Sequence, residues 1–211
     1  MNKDCIVFDL WNTLIFLPKG WETFNYLKRE FDIDSVFWRE KVKPLFLCKH
    51  QPDVISFLSD FRKLINIDLD ESEYGELMNQ RLIEDLKSCK LYEDSFDILE
   101  RLKKEGYILG VISNQSTFYE SYFTTCGLDE IMDACVFSNR VGVRKPDRKV
   151  YSYFLDKVGI EPRRVMMVGD NYEHDYLTPK QIGMRALWLR RGYSGGEYES
   201  ISTLEELFDY L

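Results

Sequence analysis

Two carboxylates stand where buried runs end. Cys5-Ile6-Val7-Phe8 stops at Asp9, and Val165-Met166-Met167-Val168-Gly169 stops at Asp170, with Asp175 five residues on. An apolar run that halts at an acid reads as a buried strand delivering that acid to its C-terminal edge, where parallel α/β sheets bind ligands. A carboxylate there can act as a nucleophile, as a metal ligand, or as both. Capping a turn or helix is the plainer role open to Asp9 and Asp175. Two further segments add to the set. Tyr107–Ile112 is a third apolar run and ends in Ser113-Asn114, and Val141-Gly142-Val143-Arg144-Lys145-Pro146-Asp147 sets a lysine just before a helix start. Arg144, beside it in an extended segment, points elsewhere.

The elements needed to position these residues alternate. A helix from Asp94 to Gly106 has Asp94 as its cap, Phe96, Leu99 and Leu102 on one face, Lys103 and Lys104 in its last turn, and Gly106 just past it. The strand Tyr107–Ile112 follows. After it come a helix around Phe118–Cys126, a strand at Ala134–Phe137, a helix at Asp147–Val158, a strand at Val165–Val168, a helix at Tyr176–Ile182 and a last strand at Arg185–Leu189. Strands alternating with helices predict a doubly wound α/β fold, a parallel sheet covered on both faces. Residues 17–89 break the rhythm with four stretches of helical period, Trp21–Phe31, Val36–Lys49, Val54–Leu64 and Glu73–Lys87, and no convincing strand. The expected division is a Rossmann-like core of residues 1–16 and 90–211 and an inserted all-α cap of residues 17–89, which closes over the sheet edge and excludes water.

The order nucleophilic Asp, then Ser, then Lys, then paired Asp resembles the haloacid dehalogenase-like hydrolase superfamily, in members with a helical cap after the first strand. The resemblance runs from Asp9 to about Met184. It implies Mg²⁺-dependent hydrolysis of a small phosphate ester through an aspartyl-phosphate on Asp9, with Thr13 orienting the nucleophile loop. Ser113 and the Asn114 turn would hold phosphoryl oxygens, and Lys145 would neutralise the phosphoryl group and Asp9. The metal would be held by Asp9, the main-chain carbonyl of Trp11 and Asp170, with Asp175 in the outer shell. Two unit charges about 4 Å apart cost roughly 4 kcal/mol at an effective dielectric near 20, so converging acids favour a divalent cation, and hard oxygen ligands suit Mg²⁺.

One residue departs from the pattern. Phosphatases of this kind carry a second Asp where Trp11 stands, as leaving-group acid and then base, and losing such a group costs about 10²–10⁴ in rate. His174 could substitute in principle, although a surface loop histidine is the plainer reading. Carbon–halogen cleavage needs no such acid, because halide leaves unprotonated. The 2-haloacid dehalogenases of the superfamily have an aromatic residue at that position, and Tyr151 also fits their pattern. Arg39 of the cap would then bind the substrate carboxylate. Those enzymes are metal-free and have serine where Asp170 stands and asparagine where Tyr172 stands, so metal-dependent phosphoryl chemistry ranks first and dehalogenation second. A phosphate-binding protein without turnover is the third reading. Trp21, Phe24, Tyr26, Phe37 and Trp38 line either an apolar pocket with Trp11 or the cap's own core.

Bulk properties bound the rest. The chain has 211 residues, 45% hydrophobic and 30% charged, with a net charge of −8. That charge disfavours nucleic acid as a partner, whereas a phosphorylated small molecule needs only local positive charge. No run is long and apolar enough to span a membrane, and Met1-Asn2-Lys3-Asp4 does not open a signal peptide, so the expected compartment is the cytoplasm. Cys5, Cys48, Cys89, Cys126 and Cys135 form no C-x-x-C pair, which supports neither zinc nor a disulfide framework. Gly192, Gly195 and Gly196 lack the strand–turn–helix setting of a nucleotide loop and are assigned flexibility only. Substrate identity and oligomeric state are not encoded in readable form.

Overall fold

A computed structural model describes residues 4–193 and 199–211. Met1, Asn2 and Lys3 and the glycines Gly195 and Gly196, on which two of the expectations above fall, lie outside the described residues.

Six parallel strands form the main sheet in the order β5-β4-β1-β6-β7-β8: β1 is Cys5–Phe8, β4 Ile108–Ser113, β5 Ala134–Phe137, β6 Val165–Gly169, β7 Arg185–Leu189 and β8 Ser200–Ile201. Alternation along β1 shows why both faces must be covered. Ile6 and Phe8 pack with Ile98, Leu99 and Leu102, while Cys5 and Val7 pack with Val150, Tyr151 and Phe154. A strand with no polar face can persist only between two layers, as parallel sheets require. The chain builds outward from β1 to β4 and β5, then crosses back to β6 and β7 on the other side of β1. The crevice above β1 is therefore the switch point at which the C-terminal edge is open to a ligand.

Between the two strands of a small antiparallel ribbon, β2 (Ile15–Phe16) and β3 (Lys90–Leu91), the chain is helical. Helices cover Glu22–Glu30, Val54–Ile65 and Glu71–Ser88; Asp53 and Asp70 cap the last two, and Asp34 caps the short helix Ser35–Phe37, each by side-chain acceptance of backbone N–H groups. The expected single helix at Val36–Lys49 is instead α-helical at Ser35–Phe37, π-helical at Trp38–Val42 and α-helical again at Lys43–Leu47. Among the described residues no helix is long and apolar enough to cross a membrane.

Some local expectations shift. β8 is a sixth strand of two residues, too short to carry a periodic signal. In the helix Ser95–Glu105, Phe96 is exposed and Ile98 takes its place in the buried face. Asp94 caps nothing with its side chain. Its carboxylate takes both forks of Arg191, at 2.9 and 3.0 Å, and the backbone N–H of Leu204 at 2.9 Å. The helix expected at Tyr176–Ile182 begins earlier, with a π-helical turn at Tyr172–Leu177 started by Asn171.

Candidate active site

The loop after β1 is held by main-chain bonds, from Asp9 N to the carbonyl of Val168 at 2.8 Å and from Leu14 and Ile15 N to that of Leu10 at 2.9 and 3.0 Å. Arg191 Nη2 reaches back to the carbonyl of Thr13 at 2.7 Å. Thr13 was expected to orient this loop through its hydroxyl, but that hydroxyl is buried with no hydrogen-bond partner, so its carbonyl does the tethering. Asn12 holds the tightest point of the turn at φ 58°, a conformation asparagine adopts more readily than most residues. Asn12 and Asp170 line the same cavity.

Asp9, Asp170 and Asp175 converge here, with one oxygen of each lying within 4.8 Å of the others. Lys145 sits between two of them, its Nζ 2.7 Å from Asp9 Oδ1 and 2.6 Å from Asp175 Oδ1, with only 2% of the lysine exposed. The other Asp175 oxygen accepts from Asn171 N at 3.0 Å, while the Asn171 side chain accepts from His174 N at 3.0 Å. Asp175 is therefore part of a reciprocal cap as well as a Lys145 partner. Its two oxygens are both engaged by N–H donors, which suits the outer position expected of it. Gly169 makes the approach possible, because a Cβ there would lie 2.4 Å from the Asp175 carboxyl carbon.

The electrostatics follow from burial. Desolvation pushes the Asp9 carboxyl up to about 6 despite Lys145 beside it. Asp170 is raised to about 6 by burial and by the charge of Asp9. Asp175 is raised because burial outweighs Lys145. For Lys145, burial pulls the ammonium down, but Asp175 and Asp9 outweigh it and the net displacement is upward. Three carboxylates against one ammonium leave two negative charges uncompensated when all are ionised. Hard oxygen donors with that surplus fit a divalent cation such as Mg²⁺.

Ser113 ends β4 at this edge with its hydroxyl fully buried and without a hydrogen-bond partner. Asn114 lines the Asp9 cavity, and its amide pairs with the lysine backbone: Oδ1 accepts from Lys145 N at 2.7 Å and Nδ2 donates to the Lys145 carbonyl at 3.0 Å. It fixes the Lys145 backbone at the edge of the cavity where the sequence placed a phosphoryl-binding turn. Arg39 is not brought to the site. It is exposed and pairs with Glu40 at 2.8 Å, because its place on the π-helical turn faces outward. His174 lines the cavity beside Asp9, so it is no ordinary surface histidine. Burial, then Lys145, Arg144 and Lys43, bring its pKa down to about 4. Tyr151 is buried in the core, and its hydroxyl donates to the His174 carbonyl.

Trp11 forms a wall of the same cavity of about 160 Å³. Its Nε1 donates to Gln115 Oε1 at 2.8 Å, and its ring meets Trp21 at 4.6 Å and Tyr119 edge-on at 5.8 Å. Of the five aromatic residues considered for a pocket, Trp21, Phe24 and Trp38 line a second, adjoining cavity, while Tyr26 lies under Arg81 and Phe37 packs against the core.

Sequence reading missed several participants. Asn12 was legible as the residue best suited to a left-handed turn. Asp85 was legible too, because with Gly75, Met78 and Leu82 it completes a helical stripe in which a carboxylate is out of place. It accepts from Thr23 N and Oγ1 at 3.1 and 2.7 Å and from the Tyr119 hydroxyl at 2.6 Å, joining the helical segment to the loop after β4. Arg191 and Gln115 gave no local signal, since their partners lie far away in sequence.

Comparison with known proteins agrees with this geometry. The chain is 37% identical over 205 residues to the pyrimidine 5'-nucleotidase YjjG of Escherichia coli, covering 90% of this chain and 87% of that one. It is 27% identical over 141 residues to the (S)-2-haloacid dehalogenase 4A of Burkholderia cepacia, covering 64% of this chain and 61% of the dehalogenase. It spans about half the length of other curated relatives it matches. Among solved structures, a HAD phosphatase from Thermococcus onnurineus superposes with a TM-score of 0.65 at 25% identity over 98% of this chain and 97% of that one. Residues 6–189 match the haloacid dehalogenase-like hydrolase family, and the chain belongs to it.

Proposed function

We propose that the protein is a Mg²⁺-dependent phosphatase acting on a small phosphate ester through Asp9. The observation that carries this reading is the charge balance at the sheet edge, where three carboxylates meet one lysine and two negative charges are left over. A metal-free mechanism would leave that surplus facing an anionic substrate. Asp9 and Asp170, joined by the Trp11 main-chain carbonyl, would hold the ion, and Asp175 would steady it from behind. Bound Mg²⁺ would neutralise the acids and draw charge from the phosphoryl oxygens.

Asp9 then attacks phosphorus. The bond from phosphorus to the ester oxygen breaks, and that oxygen leaves and takes a proton. Water next attacks the phosphorus of the aspartyl-phosphate, releasing inorganic phosphate and restoring the carboxylate. Lys145 holds Asp9 in place and offsets charge on the phosphoryl group, while the helices of residues 17–89 act as a cap that limits water. Because Trp11 supplies no acid, the ester oxygen must be a good leaving group or take its proton from another donor. The family relative with 90% coverage of this chain is by name a pyrimidine 5'-nucleotidase, so nucleoside monophosphates belong in the substrate panel.

Phosphate release is measured on p-nitrophenyl phosphate and a panel of phosphate esters, with Mg²⁺ and with EDTA, for the native protein and Asp9→Asn. Metal-stimulated release that vanishes in Asp9→Asn, with an unchanged circular dichroism spectrum, is expected. Release that persists in Asp9→Asn refutes the covalent mechanism. The second reading, a 2-haloacid dehalogenase, is favoured by the indole at Trp11, and metal-independent halide release from 2-chloropropionate would establish it instead.

A further inference from the structure

The chain is acidic overall, yet one part of the cleft is cationic. A cavity of about 230 Å³ adjoins the Asp9 site and shares Trp21, Asn114 and His174 with it. Phe24, Trp38 and Phe46 give it apolar walls, Lys43 and Arg144 line it, and no carboxylate does. Among the described residues neither cation has an acidic ion-pair partner. Lys43 is in no ion pair among the described residues, and Arg144 donates only to the main-chain carbonyl of Arg39, at 3.1 Å. Glu40, which feels the charge of Arg144, places its carboxylate on Arg39 at 2.8 Å on the exposed side. Lys43 is half-buried and is disfavoured as a cation first by that burial and then by Arg144, Lys28 and Arg39. Like charges held together beside an apolar wall cost free energy unless an anion joins them.

We propose that this cavity is a second anion subsite: the phosphate ester carries, at the far end of an apolar body, a further anionic group of carboxylate size that Lys43 and Arg144 hold while Asp9 acts on the phosphoryl group. The inference rests on the phosphatase reading above and names the substrate class of the same site. Arg144 supplies a planar fork suited to a carboxylate, Lys43 a point charge, and the aromatic walls take the body between the two anions. Such a ligand also explains how a protein with a negative surface and an acidic reaction centre selects an anion, because attraction is confined to one wall of the cleft.

The probes are 4-carboxyphenyl phosphate and its methyl ester, which match in length and ring and differ in the remote charge. Steady-state kinetics with Mg²⁺ are expected to favour the acid over the ester by about tenfold in kcat/KM, mostly through KM, as charge-assisted hydrogen bonds to a bound anion require. In Lys43→Gln/Arg144→Gln the ratio of the two probes is expected to fall to about one. Because the readout is a ratio within one preparation, partial misfolding does not imitate it. A ratio near one in the native protein, or a preference that survives in the double variant, overturns the subsite and leaves the phosphatase reading standing. If neither these probes nor p-nitrophenyl phosphate releases phosphate, the phosphatase reading fails; if p-nitrophenyl phosphate alone does, the subsite is overturned. Where all three are inert, the ratio of dissociation constants on Asp9→Asn, read by tryptophan fluorescence, decides the subsite by the same criterion.

Discussion

Replacing Gly169 by alanine tests whether the site depends on the close approach of β6 to Asp175. Its backbone is not left-handed, and alanine is otherwise the better residue in a strand, so a neutral or slightly favourable effect would be expected from conformation alone. The structure reverses that sign. The new Cβ would meet Asp175 Cγ and Oδ2 at 2.4 Å and Cβ at 2.7 Å. Ordinary contact begins near 3.4 Å, so the carboxylate must retreat by about 1 Å. A retreat of that size breaks the 2.6 Å contact with Lys145 and the 3.0 Å contact with Asn171 N. Overpacking costs about 1–3 kcal/mol and a lost charge-assisted hydrogen bond about 1.5–3 kcal/mol, giving a destabilisation of about 3–5 kcal/mol. For a domain of this size each kcal/mol lowers Tm by about 2–4 °C, so a fall of about 6–20 °C is expected. Thermal unfolding followed by circular dichroism measures it, beside phosphate release, which should fall as Lys145 loses its second anchor. A paired experiment in Asp175→Ser isolates the cause, because shortening the side chain removes the clash and most of the cost of Gly169→Ala should disappear with it. A Tm within about 2 °C of the native value in Gly169→Ala, or a cost unchanged in Asp175→Ser, would refute the reasoning.

Three other outcomes follow from the same geometry. Asp9 and Asp170 both sit at about 6 when folded, above the ordinary 3.8, so the metal-free protein keeps its full stability from these groups only below about pH 4 and loses it as pH rises through about 6. Mg²⁺ must displace those protons to bind, so its effect on Tm is expected to be small at pH 5 and to grow by pH 7.5; equal shifts at both would contradict the assignment. Asp85→Asn should lower Tm, since it weakens three hydrogen bonds from Thr23 and Tyr119 by removing the charge, at a cost of about 2–3 kcal/mol in all, and an unchanged melting curve would count against Asp85 as the tie between the helices and the sheet. Trp11→Asp should raise turnover per folded molecule by restoring an acid while lowering stability by about 3–5 kcal/mol, because a buried indole contact with Trp21 and Tyr119 is lost. A flat rate in a folded variant would mean that the proton comes from elsewhere.

The chain's own residues determined the parts of this protein that depend on local chemistry. The runs ending at Asp9, Ser113 and Asp170 had to be buried strands, and β1, β4 and β6 are those strands, side by side in the sheet. The glycines closing Ser95–Glu105 and Arg148–Val158 are left-handed caps, and Asp147 caps its helix, because capping is settled within a few residues. Long-range partners were decided only when the chain folded. Nothing near Asp94 announces Arg191, nothing near Trp11 announces Gln115, and nothing near Asn114 says that its amide will be taken by the backbone of Lys145. Arg39 and Arg144 exchanged their expected surroundings for the same reason: helical period places a residue on a face, but the π-helical turn at Trp38–Val42 and the packing of the helices over the sheet decide which cation meets the cleft. Residue type fixes what a side chain can do, while the meeting of segments far apart in sequence fixes what it does, since burial and neighbouring charge exist only in the assembled fold.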